Sequence, residues 1–338
     1  MNGTLGDLIE IKRIDDMKYF DPAIAYNPDK DEYLVAFNAD NIPFMIEVKN
    51  IQAKLIDWAG APIKDVPVSD VLKLERDPAV VLNGRDHQYL VVMTRNRSNI
   101  LEIWGQRLDA EGNRSGEVKL AGVDTEDRSS PKVAYNPLRN NYLVVYHWEG
   151  PAPPKILGVT CSADLSTISL ERDISGGSID FFPAISFGGD EFMTVWEKSE
   201  YNVRARRIND QGDPVGPVSG FTVMPYQNPI YPRHADLAYL GRGLFLAVAE
   251  TWDPMSTDEG DIAGRLLKVG SDQTAEDLFY VDNTANYQAR PSVACSPNGS
   301  CLVAYVHNPF NFPGGDYEIR GRLLNFGQLV FLPLILNH

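Results

Sequence analysis

The chain lacks an apolar stretch long enough to cross a bilayer as a helix. Its longest apolar run, residues 329–336, is interrupted by Pro333, whereas a spanning helix needs about 20 apolar residues. Basic residues are also in short supply, since 31 Lys and Arg stand against 46 Asp and Glu for a net charge of −15. Nucleic-acid backbones and anionic lipid surfaces both favour clusters of Lys and Arg. We therefore expect no nucleic-acid partner and no membrane insertion.

Familiar catalytic and targeting motifs are missing as well. No Ser lies in a G-x-S-x-G turn, and no glycine-rich segment matches a phosphate-binding loop motif. No secretory leader precedes the first predicted strand, so we expect either a cytosolic protein or the mature part of an exported one. Hydrophobic spacing typical of an amphipathic helix is absent throughout.

The sequence does contain a hairpin pattern that recurs six times. The clearest copy, residues 21–37, has two strand-like runs around a turn rich in Asn, Pro and Asp. The copies begin 52 to 56 residues apart, with anchors at Pro22, Pro78, Pro131, Pro183, Ala235 and Pro291. Such a period indicates a repeat architecture.

Each copy continues with further strand-like runs. The second run is almost entirely apolar, which is typical of a strand buried on both faces. A third run has a small residue at one fixed position, namely Ala53, Gly105, Gly158, Ala205, Gly264 and Gly321. A strand position without a large side chain indicates close packing by a neighbour, and we expect that neighbour to be the adjacent sheet. A weaker fourth run completes the unit.

These units predict an all-β fold, a six-bladed β-propeller of four-stranded antiparallel blades. An open β-solenoid is the alternative, but its coils are usually shorter. Because six units use residues 1–338, we expect a single domain. Residues 8–14 alternate like a strand, and we expect them to complete the sixth blade and close the ring, although residues 329–336 compete for that role.

The repeat resembles that of uncharacterised bacterial secreted β-propellers, whose units read P-x-V-A-Y-N-P, then Y-L-V-V-W, then I-x-G-R-L. The resemblance covers essentially the whole chain and implies the fold and export, but no activity. Sialidase-type propellers of six blades carry an S-x-D-x-G-x-x-W turn that this chain lacks. Their catalytic residues therefore have no matching positions here.

Two of the three cysteines fall on facing positions of one predicted hairpin. Cys295 and Cys301 occupy the places that hold Tyr26 and Tyr33 in the first copy. Facing side chains in a hairpin lie close enough for a disulfide, so we expect one here, with two buried thiols as the alternative. A disulfide implies an oxidising compartment, and we expect a secreted or cell-surface protein.

The connections between second and third strands carry the candidate binding residues. Loops on a rigid scaffold often hold binding sites, and aromatic rings beside carboxylates and guanidinium groups suit a glycan or protein ligand. The residues expected to bind ligand are Trp148, Glu149, Trp252, Asp253, Arg95, Arg290 and Phe310. The alternative is that such residues pack their own loops, and we expect Trp196 to be a core residue.

Three hypotheses of function stay open. The first is a secreted or cell-surface binding module for a glycan or protein. The second is a glycoside hydrolase or lyase, because Glu197 and Glu250 follow the second strands of adjacent blades and paired carboxylates roughly 5 to 9.5 Å apart cleave glycosides. The third is a structural surface or adhesion element. No cofactor is expected, although Asp253, Asp258 and Asp261 offer oxygen ligands for Ca²⁺ at a spacing that does not match the EF-hand loop.

Overall fold

The computed structural model describes residues 17–41, 48–69, 74–123, 125–177, 179–199, 201–227, 230–252, 260–284, 287–296, 299–308 and 318–326. Every regular element in these ranges is a β-strand. The same ranges contain no helix with the length and apolarity that crossing a bilayer requires.

The strands form six antiparallel sheets in chain order, which we call blades. Blade one contains β1 (Met17–Asn27), β2 (Glu32–Asn41), β3 (Val48–Asp57) and β4 (Pro62–Pro67). Blade two contains β5 (Leu74–Asn83), β6 (Gln88–Arg97), β7 (Ile100–Asp109) and β8 (Arg114–Ala121). Blade three contains β9 (Asp127–Asn136), β10 (Asn141–Glu149), β11 (Lys155–Ser162) and β12 (Arg172–Asp173).

The other three blades repeat this order with small variations. Blade four contains β13 (Asp180–Gly188), β14 (Glu191–Lys198), β15 (Asn202–Asn209), β16 (Pro214–Val215) and an added β17 (Phe221–Met224). Blade five contains β18 (Tyr231–Gly241), β19 (Leu244–Trp252), β20 (Asp261–Lys268) and β21 (Phe279–Asp282). Blade six contains β22 (Tyr287–Cys295), β23 (Ser300–Asn308) and β24 (Glu318–Asn325) within the described residues.

The arrangement is a six-bladed β-propeller, as the repeat predicts. The first strands of successive blades contact one another, from β1 through β22, so they surround the central axis. The connections between second and third strands and the links between blades lie at one end, which we call the loop face. The turns between first and second strands lie at the other end, the hairpin face. Residues 8–14 and 329–336, the two predicted closing segments, lie outside the described residues.

Asparagine side chains shape the hairpin turns of the first three blades. The Oδ1 atom of Asn27 accepts a hydrogen bond from the backbone N–H of Asp29 at 3.1 Å, and Asn83 and Asn136 make the equivalent bond two residues on. This side-chain bond mimics a backbone turn. The register it sets pairs Tyr26 with Tyr33 in blade one.

The core consists of apolar layers between neighbouring blades. One cluster joins blades one and two, and four more join each following pair through to blades five and six. Second strands supply most of the large side chains, including Tyr89, Tyr142, Phe192 and Phe245, all fully buried. Burying one such side chain stabilises the fold by about 1.5–3 kcal/mol. Trp196 is also fully buried, so its prediction as a core residue is confirmed.

The small residues of the third strands face a different neighbour from the one we expect. A Cβ atom added to Gly105 would lie 3.0 Å from Leu120, and one added to Gly264 would lie 2.7 Å from Phe279. Leu120 and Phe279 belong to the outermost strands of the same blades. In blades two and five the close approach therefore comes from the same blade, because the outer strand packs a large side chain over the third strand.

The predicted disulfide is present. Cys295 and Cys301 are directly opposed in the hairpin, with Cα atoms 4.0 Å apart and their sulfur atoms bonded. Cys161 is free and buried in blade three, and burial raises the pKa of its thiol to about 12. That thiol therefore stays protonated and behaves as a core side chain.

Several apolar side chains on the facing edges of blades one and six are exposed in the described part of the chain. In blades two to six, the side chains that correspond to Ile24 and Tyr26 are buried or half-buried. Ile24 itself is 59% exposed and Tyr26 is 44% exposed. On blade six, Leu302 and Ile319 are likewise exposed, by 50% and 74%. Among the residues that the structure describes, the facing edges of blades one and six therefore bury less apolar surface than those of the other neighbouring blades.

Candidate functional site

A bulge interrupts the first strand of every blade near the loop face. The register with the second strand skips at this point in all six blades. Each bulge contains a non-glycine residue with φ between 47° and 55°, and these six bulge residues are Asp21, Asp77, Ser130, Phe182, His234 and Arg290. Such backbone is uncommon outside glycine and costs stability. Because the first strands surround the axis, the bulges ring the mouth of the central channel.

Polar side chains near the ends of the second strands hold the bulges in place. This position is polar in five blades, as Asn38, Thr94, His147, Glu197 and Glu250. Within the described chain, all of them except His147 make a hydrogen bond to a bulge residue. Within a blade, Asn38 donates to Asp21 at 2.9 Å and Thr94 donates to Asp77 at 3.0 Å. Between blades, the Oγ1 atom of Thr94 accepts the backbone N–H of Ser130 at 3.1 Å. These bonds satisfy polar groups that the bulge frees from the sheet ladder.

The richest part of this ring joins blades four, five and six. Glu197 accepts a short hydrogen bond from the backbone N–H of His234. The Nδ1 atom of His234 lies 3.1 Å from Oε2 of Glu250, and Nε of Arg233 donates to Oε1 of Glu250 at 2.8 Å. The backbone N–H of Arg290 also donates to Oε2 of Glu250, at 3.3 Å. His234 thus stands between the two carboxylates that the sequence singled out.

The two carboxylates have opposite pKa shifts. Burial raises the pKa of Glu197, and the hydrogen bond from the His234 backbone and the nearby positive charges offset only part of that rise. Burial alone would also raise the pKa of Glu250, but the hydrogen bonds from His234 and Arg233 outweigh it and hold the pKa below its usual value. Glu250 is therefore the ionised partner, and Glu197 takes up a proton more readily.

An aromatic surface adjoins this pair. Its four rings, which we call the tyrosine–tryptophan cluster, are Tyr201, Tyr226, Tyr231 and Trp252. The centroids of Tyr201 and Tyr231 are 4.4 Å apart, and those of Tyr231 and Trp252 are 5.5 Å apart. The guanidinium of Arg233 lies 4.6 Å from the centroid of Trp252. One arginine therefore connects the rings to Glu250.

The cluster is accessible to solvent. Tyr201 is 55% exposed and Tyr226 is 37% exposed, while Tyr231 and Trp252 are half-buried. Tyr201 precedes β15, Tyr226 lies in the link from blade four to blade five, and Trp252 ends β19. All three positions are on the loop face. A contiguous exposed group of aromatic rings is a marker of a binding surface.

Arg95 lies in a buried ion-pair network in blade two. Its Nε atom donates to Glu75 at 2.7 Å, and its Nη2 atom contacts Glu117. The guanidinium also lies 4.0 Å from the centroid of Trp104. With Arg95 only 5% exposed, its donors are directed at protein groups rather than at solvent.

Trp148 is held in a similar way in blade three. Its indole N–H donates to Glu126 at 2.9 Å, the Nζ atom of Lys155 lies 5.0 Å from its ring centroid, and it is 7% exposed. Glu149 is the next residue and is exposed. Burial lowers the pKa of His147, and the charge of Glu149 counters part of that shift. Trp148 therefore packs the blade, while Glu149 faces solvent.

Arg290 is exposed at the channel mouth. Burial raises the pKa of Asp21, and the neighbouring charge of Asp77 adds to the rise, whereas Arg290 and Lys132 lower it. These influences come from blades two, three and six on a residue of blade one, so the groups converge on the axis. Arg290 supplies positive charge beside two aspartates there.

Of the remaining predicted site residues, the structure describes only Asp261. Asp253, Asp258 and Phe310 lie outside the described residues. Asp261 opens β20. Within the described ranges, no group of three or more His, Cys, Asp or Glu is arranged to hold a metal. The calcium hypothesis for this loop therefore stays a prediction.

Several solved structures share the fold of this chain. A protein of unknown function from Dyadobacter fermentans DSM 18053 matches with a TM-score of 0.62 and 12% identity over 93% of this chain and 96% of that one. The parainfluenza virus 5 hemagglutinin-neuraminidase ectodomain matches with a TM-score of 0.58 and 8% identity over 95% and 82%. The likeness is one of fold.

A third match is the Hadza microbial sialidase Hz136, with a TM-score of 0.57 and 9% identity. It covers 86% of this chain but 63% of the sialidase, so the chain spans less than two thirds of that enzyme. No protein-family model matches the chain, and no curated protein matches it either. The resemblance to secreted bacterial repeats therefore stays a prediction at the level of family.

Sequence reasoning missed His234 and did not single out Tyr201 or Tyr226. His234 immediately precedes the anchor Ala235, in the position that Asp21 and Asp77 occupy in other copies. That column of the repeat alignment is polar in five copies, although a strand beside the axis would be expected to be apolar there. The polar column was the available signal for the bulge.

Proposed function

We propose that this protein binds a glycan on the loop face, at the tyrosine–tryptophan cluster of blades four and five. The observation that carries the proposal is the contiguous, solvent-accessible run of rings from Tyr201 to Trp252, which is bordered by the guanidinium of Arg233. Sugar rings present apolar faces that stack on aromatic side chains, and their hydroxyls need nearby polar partners. The cluster supplies both kinds of contact.

Two further considerations support this choice. Propellers with the same fold include proteins named as a sialidase and as a hemagglutinin-neuraminidase, so the scaffold is compatible with glycan chemistry. The disulfide between Cys295 and Cys301 is typical of an oxidising compartment, where extracellular glycans are met. We therefore place the proposed binding module outside the cell or on its surface.

A glycan array with matched variants tests the proposal. The parent protein is expected to bind a restricted set of oligosaccharides, and Trp252→Ala should weaken that binding by on the order of tenfold or more, as loss of a central aromatic contact does. Trp58→Ala is the matched control, because Trp58 is 70% exposed in the outer turn of blade one on the hairpin face. Equal binding by the two variants would contradict the proposed site.

Glycoside hydrolysis is a second candidate, and the split pKa values of Glu197 and Glu250 favour it. A carboxyl with a raised pKa beside an ionised one is the pattern of a general acid and its partner. Glu250, however, is fully buried, and its two oxygens accept hydrogen bonds from Arg233, His234 and Arg290. These bonds leave it poorly placed to attack a sugar.

Kinetics separates the two candidates. A hydrolase should release reducing sugar from at least one member of a glycoside panel, and Glu197→Gln should abolish that turnover while leaving array binding intact. A pure binding module should show binding with no turnover for parent and variant alike. Turnover by the parent that survives Glu197→Gln would rule out Glu197 as the acid.

A further inference from the structure

The hairpin face has a cavity of its own between blades two and three. Its volume is about 570 Å³, within the range of roughly 300–1,000 Å³ seen for small-molecule sites. Charged side chains dominate its lining, namely Arg85, Asp86, Arg107, Arg139 and Asp164. These residues come from the hairpin turns of both blades, from β7 and from the turn after β11, so the cavity opens away from the tyrosine–tryptophan cluster.

Hydrogen bonds between the two blades fix the walls of this cavity. The amide of Gln88 donates to the carbonyl of Ala163 at 2.9 Å, and the amide of Asn140 donates to Asp86 at 2.9 Å. Asn83 donates in turn to Asn140 at 3.0 Å. The lining is therefore held in one arrangement before any ligand arrives, which reduces the entropy cost of binding.

Two arginines of the cavity are not neutralised by carboxylates. Arg139 pairs with Asp210, as many arginines of this acidic chain pair with an acid. Arg107 instead donates to the carbonyl of Ser115 at 2.8 Å and to Gln88 at 3.5 Å, and its buried Nε has no partner among the described residues. Within the same ranges Arg85 makes no ion pair. Their positive charges therefore remain available to an anion.

The two aspartates of the cavity bind neutral donors rather than these arginines. Oδ2 of Asp86 accepts from Asn83 and Asn140, at 3.2 and 2.9 Å. Oδ1 of Asp164 accepts the hydroxyls of Ser162 and Ser166, at 2.6 and 2.8 Å. Among the described residues, no hydrogen bond reaches the other oxygen of either carboxylate. That oxygen can therefore accept a hydrogen bond from a hydroxyl group.

We propose that this cavity is a second binding site, which takes a sugar acid. The guanidinium groups of Arg85 and Arg107 bind its carboxylate, since arginine presents paired N–H donors that match a carboxylate. Asp86 and Asp164 accept hydrogen bonds from its hydroxyls. A monosaccharide or disaccharide acid fits the cavity volume. This site is independent of the proposed glycan surface on the loop face.

Isothermal titration with galacturonate tests the proposal, with galactose as the neutral counterpart. The parent is expected to bind galacturonate and to bind galactose at least about tenfold more weakly. Arg85→Gln and Arg107→Gln should each weaken galacturonate binding by about tenfold or more, the usual effect of losing one charge-assisted contact. Arg242→Gln, in the corresponding turn of blade five, should leave it unchanged, and so should Trp252→Ala.

Several results would overturn this assignment. They are no galacturonate binding by the parent, equal affinity for galactose, or an affinity that survives both arginine substitutions. Equally tight binding of inorganic phosphate would show a general anion site rather than one for a sugar acid. Because Arg85 is exposed in its turn, Arg85→Gln should fold normally, and its circular dichroism spectrum and Tm should match those of the parent.

Discussion

Replacing each of the two carboxylates around His234 with glutamine should have contrasting effects on stability. Glu250 is fully buried and accepts from the side chains of Arg233 and His234 and from one backbone N–H. In Glu250→Gln, the new NH₂ group must face either Arg233 or the donors on the other side. One set of half-buried donors then loses its acceptor. In Glu197→Gln, the amide oxygen can still accept the backbone N–H of His234.

The size of each change in stability follows from these contacts. Leaving buried charged donors without an acceptor costs several kcal/mol, and because Arg233 is 31% exposed part of that cost is recovered from water, which gives about 3 kcal/mol for Glu250→Gln. At roughly 2 °C per kcal/mol for a chain of this size, Tm should fall by about 6 °C. Glu197→Gln should change the free energy of unfolding by less than about 1 kcal/mol.

The two shifted pKa values predict in which direction the stability effect of each substitution changes with pH. The pKa of folded Glu250 lies below 4.5, so its ionised form stabilises the protein above the unfolded pKa, and that stability is lost as pH falls through the folded pKa. The deficit of Glu250→Gln should therefore persist from pH 7 to pH 5 and shrink only as the pH falls below the usual pKa of a glutamate. The pKa of Glu197 is raised, so ionisation costs stability at pH 7 and that cost disappears as pH falls.

Equilibrium urea unfolding of the parent and both variants at pH 7 and pH 5 measures these effects. Glu250→Gln should unfold at clearly lower urea at both values, with Glu197→Gln close to the parent. If the two variants lost equal stability at pH 7, the assignment of Glu250 as the ionised partner in this cluster would be wrong.

Two further outcomes are expected. Reduction of the Cys295–Cys301 disulfide, which closes a loop of sequence separation 6, should lower the free energy of unfolding by about 2 kcal/mol; no change in urea midpoint on adding dithiothreitol would contradict this. Gly264→Val should lower the free energy of unfolding by about 1–3 kcal/mol, because the new side chain would collide with Phe279. Gly84→Val should lower it much less, because a Cβ atom there has no neighbour within 4 Å. Equal losses of stability in thermal melts followed by circular dichroism would refute the packing argument.

The fold was predictable because it rests on alternation and turn chemistry that repeat along the chain. Facing pairs such as Tyr26 with Tyr33 and Cys295 with Cys301 could be placed from the hairpin alone, since a turn fixes the register of its strands. Burial of the second strands followed from their unbroken apolar runs. Six copies of the same pattern made the architecture more certain than any single copy would.

The candidate site was less predictable because it depends on which side chains meet across blades. Nothing local in the sequence pairs Arg95 with Glu75 or Trp148 with Glu126, so residues that looked available for a ligand are used in packing. The bulge that brings the His234 backbone to Glu197 requires a positive φ that the strand pattern conceals. Tyr226 reaches the cluster through the link between blades, far from Trp252 in the chain.

A crystal structure of the parent soaked with an oligosaccharide identified on the array would test the proposed glycan site most directly. We expect electron density for a sugar ring stacked on Tyr231 or Trp252, with hydroxyls near Arg233. Density confined to the channel mouth, to the hairpin face or to another blade would contradict the proposed site.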